Sequence, residues 1–487
     1  MSSNPQDIGR RHFLQRSGQL ALAGVATPMA LNLAAMGEAA ALNANDYKAL
    51  VCVFLYGGND YANTVVTFDD ASHAQYARIR AAGAGSAAGN IVLSQETLVN
   101  TALQPYTALP NKRAYALHPS MTGLAQLFNT GKAAVQLNVG PLVVPLTRQQ
   151  YQSGNTQRYP QPPKLFSHND QQSIWQSSSP EGSTVGWGGK LGDQAMASNS
   201  DALFTCISIT GNSVYLSGNQ ALQYQCSAGG AIAVKPLQTN DWLIPNAGMR
   251  EAFNDLIRQS SPHVLKNEYT TVMRRALQAE GKVTQAVNNV RLNTAFTNDN
   301  LSNQLKMVAR LIGARNTLGN KRQVFMVSLG GFDLHDNLVS KQPGLLREVD
   351  QAMSAFYRAT EELGVASQVT TFTASDFGRT LTSNGDGSDH GWGSHHFVMG
   401  GSVKGAAFYG EAPPVSVGDS DAPEDQWHVG QGRLLPRTST DQFAATLARW
   451  FGVEEARLNE ILPNLKHFGV AGGRPDYPID LGFLQPS

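Results

Sequence analysis

Three aspartates in this chain each stand just past an apolar run. Asp60 follows Val51–Leu55 through Gly57-Gly58-Asn59, Asp333 follows Val324–Leu329 through Gly330-Gly331-Phe332, and Asp376 follows Val369–Thr373 through Ala374-Ser375. His335 and Asp336 stand beside the second, Arg379 beside the third, and one loop further on comes Ser388-Asp389-His390-Gly391-Trp392-Gly393-Ser394-His395-His396. Carboxylates gathered in one place repel one another, and a shared cation both relieves that and gives a reason for the gathering. A mixed Asp and His donor set suits zinc, manganese or a similar divalent ion better than calcium or a thiolate site. Each residue also has an ordinary structural use. Asp60 after Gly-Gly-Asn fits a turn, Asp333 fits a cap, and the adjacent His395 and His396 would point to opposite faces of a strand. The recurrence at three places raises the cluster above its members.

The elements that must hold these residues follow from hydrophobic pattern. The Val51, Val324 and Val369 runs are unbroken and β-branched, as strands buried on both faces are. In an open α/β sheet ligands bind beyond the carboxyl ends of such strands. Helical spacing of Leu345, Leu346, Val349, Met353, Phe356, Thr360 and Leu363 makes Val324–Val369 a strand–helix–strand unit. A helix over Pro119–Thr130 and a strand at Ala133–Val139 repeat that order, which a parallel sheet with crossover helices requires. Helices are also expected from Ser167 to Trp175, over Trp187–Met196, and near Phe443–Phe451; His396–Met399 reads as a short strand. Phe204–Ile209 and Ser213–Leu216 read as a hairpin joined by Gly211-Asn212. Ala81–Gly89 and Tyr151–Pro163 read as loops, and about 245–320 as a largely helical insertion or cap.

Ser167 has the position of a helix N-cap, where free backbone N–H groups also suit a nucleophile or an anion. Arg379 is either an anion clamp or an ion-paired residue. G-x-S-x-G, the Walker A pattern, G-x-G-x-x-G and H-E-x-x-H are all missing, which counts against a lipase-type hydrolase, a nucleotide-binding enzyme and a zincin.

Among the 487 residues only 15% are charged and the net charge is zero, so nothing favours nucleic acid or an anionic membrane as partner. Gly9-Arg10-Arg11-His12-Phe13-Leu14 is a twin-arginine pattern, followed by an apolar stretch from Leu20 to Ala35 and a small-residue cleavage site at Ala39-Ala40-Ala41. Residues 1–41 are therefore expected to be an export signal and 42–487 a single periplasmic or secreted domain with no stable membrane insertion after cleavage. Of three cysteines, Cys52 is expected to be a buried thiol, while Cys206 and Cys226 are candidates for a disulfide.

The twin-arginine start, Gly57-Gly58-Asn59-Asp60, Ser167-His168, Gly330-Gly331-Phe332-Asp333-Leu334-His335, Ser375-Asp376-Phe377-Gly378-Arg379-Thr380 and Asp389-His390-Gly391 form an ordered set. In that order they resemble the exported domain-of-unknown-function-1501 family, which looks like a distant branch of the alkaline phosphatase/sulfatase superfamily. The resemblance covers nearly the whole mature chain. It implies an α/β fold with a mostly parallel central sheet between helix layers and a site of one or two divalent metal ions. Carried over residue by residue, it makes Asp60, Asp333, His335, Asp376 and His390 metal ligands and Ser167 the nucleophile; in such a hydrolase Arg379 is expected to steady the transition-state charge. The implied activity is metal-dependent hydrolysis of a phosphate or sulfate ester; the alternative is a non-catalytic exported binding or assembly protein with a small anion or an exported protein as partner. Phe377 departs from the superfamily, which has His after the aspartate matched here to Asp376. Asp333 and His335 are also more closely spaced than the superfamily pattern.

Overall fold

A computed structural model gives the fold and describes residues 42, 44–81, 90–233, 237, 246–259 and 262–486. The expected export signal lies outside these residues, as does the Ala82–Gly89 loop. The strands are β1 (Lys48–Leu55), β2 (Val65–Thr67), β3 (Tyr115–Leu117), β4 (Ala133–Gly140), β5 (Cys206–Ser208), β6 (Gln223–Ser227), β7 (Gly230–Ala231), β8 (Arg322–Leu329), β9 (Val369–Ser375), β10 (Ser394–Gly400), β11 (Phe408–Tyr409) and β12 (Thr438–Ser439). All but β2 and β3 join one 10-stranded sheet in the order β11-β4-β10-β9-β1-β8-β5-β6-β7, with β12 on β4. The fold is α/β with a mostly parallel central sheet: β9, β1, β8, β5 and β6 run parallel, and β10 is inserted antiparallel between β9 and β4.

β1 lies between β8 and β9, and Leu55 is level with both Leu329 and Ser375. The three apolar runs therefore empty at one edge of the sheet, at one height. Every residue of β1, β8 and β9 is buried, and their side chains alternate between two cores. Val51, Val53, Phe325 and Val327 face one core with the helices Thr122–Asn129, Asn300–Gly313 and Leu338–Glu362. Leu50, Cys52, Val324 and Met326 face the other, with the helices Trp187–Ala195 and Thr440–Phe451. Helix layers on both faces are what buries such strands completely.

Four local expectations change. The residues Val214–Leu216 form a 3₁₀ turn, not a strand, and β5 pairs in parallel with β6 and β8, so no hairpin forms at Gly211-Asn212. Cys206 and Cys226 are both free, because they face opposite cores across the sheet. The helix following β8 begins at Leu338 rather than near Leu345, running through Pro343 for 25 residues. The expected helical insertion is divided in role: Ala247–Arg258 buries only Ile257, whereas Asn300–Gly313 puts Leu305, Val308, Leu311 and Ile312 into the core beneath the sheet.

A candidate metal centre at the strand ends

The turns after β1 and β8 are built on close backbone approach. Gly57 (φ +114°) would, with a Cβ, stand 2.4 Å from the Asp333 nitrogen, and Gly58 (φ +76°) would stand 2.4 Å from the Phe377 ring. Only glycine combines that backbone conformation with that absence of volume. These turns, the segment after β9, the loop ending at His390 and the start of the helix His168–Ser177 meet at one place.

His168, Asp333 and His390 each offer a ligand atom, and these atoms all lie within 4.8 Å of one another. His390 Nε2 is 3.3 Å and His335 Nε2 3.2 Å from Asp333 Oδ1, His168 Nε2 is 3.4 Å from Asp333 Oδ2, and the Nε2 atoms of His335 and His390 are 2.9 Å apart. The opposite nitrogen of each ring is tied to an acceptor. His168 Nδ1 donates to Asp376 Oδ2 at 2.6 Å, His390 Nδ1 to the Phe166 carbonyl at 2.7 Å, and His335 Nδ1 to Asp389 Oδ1 at 3.1 Å. A carbonyl or carboxylate cannot donate, so each neutral ring carries its proton on Nδ1 and turns an Nε2 lone pair inward. His168 Nε2 is buried and has no hydrogen-bond partner. The lone pairs of His168 and His390 thus face the Asp333 carboxylate, with His335 alongside, also within reach of Arg379 Nη1 at 3.4 Å, and with a second rank of acceptors behind them, the arrangement in which histidines bind metals. The donor set and the orphaned nitrogen both fit zinc or manganese.

Charge acts in the same direction. The hydrogen bond it donates to Asp376 is the largest influence on His168 and raises its pKa above the ordinary imidazole value, against the opposing effect of burial. Burial lowers that of His390. Asp333 is held below the usual carboxylate value by Arg379 and the neighbouring imidazoles, which together outweigh its desolvation.

Not all residues singled out in the sequence arrive at this centre. Asp333, His335 and His390 do. Asp376 stands one step behind, fully buried, accepting from His168, from Gln172 Nε2 at 2.8 Å and from the Gly57 N–H at 3.2 Å. Asp60, expected as a ligand, is turned to other partners: Oδ2 accepts from buried Arg80 and from Ser388 Oγ, both at 2.6 Å, and Oδ1 caps Asn63 at 2.9 Å. A carboxylate already neutralised by a buried guanidinium has little to offer a cation. Ser167 is the N-cap residue of its helix but makes no capping bond; its hydroxyl donates to Asp170 Oδ2 at 2.9 Å. Arg379 is 1% exposed and gives its donors to the Gly57, Gly58, Phe332 and Ser388 carbonyls, to Asp333 and, at 3.4 Å, to His335 Nε2, so it has no free edge for a substrate.

His168 is the member that ligand spacing did not bring out, although Ser167-His168 was a visible motif. Its neighbour Ser167 drew the functional reading instead. Phe377 also gains a place: its buried ring lies 4.8 Å from the His168 ring and 4.6 Å from the His390 ring, against both imidazoles, which themselves meet edge to face at 4.4 Å.

These features define an α/β protein with an Asp/His centre at the carboxyl edge of a mostly parallel sheet. The chain belongs to the family described as "Protein of unknown function (DUF1501)", matched over residues 47–462. No curated protein matches it. Among solved structures, it is similar to Ps i-CgsB in complex with k-i-k-neocarrahexaose, at 10% identity over 89% of this chain and 78% of that one, with a TM-score of 0.34. It is also similar to the PsFucS1 sulfatase from Pseudoalteromonas sp., at 9% identity over 91% and 72% of the two chains, with a TM-score of 0.35. Likenesses at these TM-scores carry no argument about the site, whose chemistry rests on its own geometry. Among the described residues, no helix is long and apolar enough to cross a membrane.

Proposed function

We propose that this is an exported metal-dependent hydrolase of phosphate or sulfate esters, with one divalent ion, zinc or manganese, held by His168, Asp333, His335 and His390. The observation that carries the reading is the meeting of inward lone pairs: two Nε2 atoms at 2.9 Å, each with its Nδ1 committed to an acceptor, repel as neutral rings, and a bound cation or a second ring proton relieves that. The local charge agrees. Asp333, Asp376 and Asp389 bring three carboxyl groups to the centre against the guanidiniums of Arg379 and Arg433, an acidic balance that favours a cation.

When bound, such an ion supplies Lewis acidity toward an ester oxygen. The protein's own part is to fix the geometry. Asp376, Asp389 and the Phe166 carbonyl hold the rings in one tautomer and orientation, and half-exposed Asp333 and His335 leave the centre open to a small anion. Ser167, next to His168, is the nucleophile in this reading. Its Oγ bonds to phosphorus or sulfur as its proton passes to buried Asp170, and the ester oxygen leaves with the bonding pair and takes a proton from solvent. Water then displaces Oγ from the phosphoryl or sulfuryl group, with Oγ regaining its proton from Asp170. Export follows the twin-arginine pattern.

Two observations favour a second reading, a non-catalytic exported binding or assembly protein that keeps the ion and meets an exported protein partner. Arg379 is fully engaged by the protein itself, and an apolar Phe377 ring stands where the superfamily has a ligand. Metal analysis of the mature protein, paired with a screen of generic phosphate and sulfate esters, separates the two. Bound metal with turnover lost in Asp333→Ala supports the hydrolase, bound metal without turnover supports the binding protein, and a folded protein that takes up neither zinc nor manganese overturns both.

A further inference from the structure

The helices Ala247–Arg258 and Val264–Asn288 are joined by five residues, a connection that folds them back antiparallel. Ile257 and Thr270 are buried where the two meet, and the Thr270 hydroxyl donates to the Gln259 carbonyl at 3.2 Å. Only the second half of the longer helix, through Ala279, Val283, Ala286 and Val287, is packed into the core. The rest of the hairpin stands clear of it. Six of the twelve large hydrophobic residues that are exposed among the described residues lie here: Met249, Leu256, Val264, Leu265, Tyr269 and Val272, at 48% to 79% exposure. At about 100° per residue, Met249 and Leu256 fall to one side of Ile257, and Leu265, Tyr269 and Val272 to one side of Thr270; in two antiparallel right-handed helices these are the same side of the hairpin. The hairpin therefore presents one apolar face two helices wide, and a contiguous face of that kind marks an interaction surface.

Its rims differ in charge. Asp255, with Glu251 one turn before it, lies on the outer edge of the shorter helix, and Arg275 on the outer edge of the longer one, all exposed. Gln259 is level with Thr270, so Asp255, one turn back along an antiparallel helix, is level with residues 274–275. A two-fold axis along the hairpin keeps these heights and lays each shorter helix over the other copy's longer one. Asp255 of each copy then meets Arg275 of the other, once at each edge. Glu268, on the same edge as Arg275, lies beyond the end of the shorter helix and meets no carboxylate. A lipid surface would instead call for Lys and Arg along both edges.

We propose that this face pairs with a second copy of the chain, as an isologous four-helix dimer closed by two Asp255–Arg275 pairs. The apolar centre supplies affinity and the edge pairs fix orientation. The proposal stands apart from the metal centre and from any activity there.

Sedimentation velocity of the full mature chain over a range of concentrations tests it. Wild type is expected to pass from monomer to dimer as concentration rises. Leu265→Ser combined with Tyr269→Ser, at exposed positions that the fold does not need, is expected to raise the dissociation constant by at least about 100-fold. Asp255→Arg and Arg275→Asp are each expected to raise it by about 10-fold. An equimolar mixture of those two variants is expected to recover the wild-type constant as a heterodimer, because opposite charges then meet at both edges. A monomer at every concentration overturns the proposal. So does a dimer that the two serine substitutions leave intact, or a pair of charge variants that mixing does not rescue. A monomer that binds phosphatidylglycerol vesicles through Leu265 and Tyr269 assigns the face to lipid and likewise overturns it.

Discussion

Asp376 acts on the centre through His168. With Oδ2 at 2.6 Å from Nδ1 it keeps the imidazole proton there and raises the ring's basicity. Asp376→Asn keeps the shape and an acceptor oxygen but removes the charge. It is expected to lower the His168 pKa in the metal-free protein, read by NMR titration, and to weaken Zn²⁺ binding by about 10–100-fold in calorimetry. An unchanged titration would mean that the pair is not electrostatically coupled. Gly58 offers a second test. A Cβ there meets the Phe377 ring at 2.4 Å and must adopt φ +76°, so Gly58→Ala is expected to lower both thermal stability and metal affinity, through displacement of the ring that packs against His168 and His390. At this scale the sequence was legible where a residue's partners are near in the chain or at matching strand ends, as for Asp333 and His335. Asp60 was misread as a ligand because its partner, Arg80, comes from a helix turning back onto it, and no spacing announces that ion pair. His168 was passed over because its approach to Asp376 spans 208 residues of chain.

At the scale of elements, β10 shows what alternation predicts and what it costs. His395 and His396 face opposite sides as period-two spacing requires: one ring lies 4.9 Å from Tyr61, the other 4.8 Å from Trp175. Both are buried, and burial lowers both pKa values to about 3. In the unfolded chain they titrate near the ordinary imidazole value of about 6.5. The unfolded state therefore takes up protons first as pH falls, so this contribution to stability is fully present above about pH 6.5 and is lost progressively toward pH 3. Denaturant titrations at pH 7, 5 and 4 are expected to show the decline. His396→Phe, whose ring would fill the space between Trp175 and Phe443, is expected to reduce its slope. A decline equally steep in the variant would place the acid sensitivity elsewhere. Strands such as β1 and β8 were legible because burial on both faces leaves an unbroken apolar run. The Ser213–Leu216 segment carried the same composition in too short a span to distinguish strand from 3₁₀ turn, and only the parallel pairing of β5 with β8 settles it.

Across the whole molecule, the fold class was legible because strand–helix–strand order forces parallel pairing, whereas the placement of β1 between β8 and β9 depends on contacts separated by hundreds of residues. That placement makes the centre a junction. His168 and the Phe166 carbonyl belong to a segment between the β4 and β5 strands, while Asp333, His335 and His390 belong to turns that follow β8 and β9. Hydrogen bonds join these side chains at the junction, and an ion bound there would add coordination bonds among three distant parts of the chain. Binding to the native state alone stabilises it by about 4 kcal/mol at a free metal concentration of about 1,000 times Kd. Zn²⁺ is therefore expected to raise the Tm by on the order of a few degrees and to slow amide exchange selectively across residues 164–168 and 386–390, with EDTA reversing both. Exchange slowed evenly over the whole chain, or not at all, would contradict an ion held at these residues, because an ion bound elsewhere would protect a different set of amides.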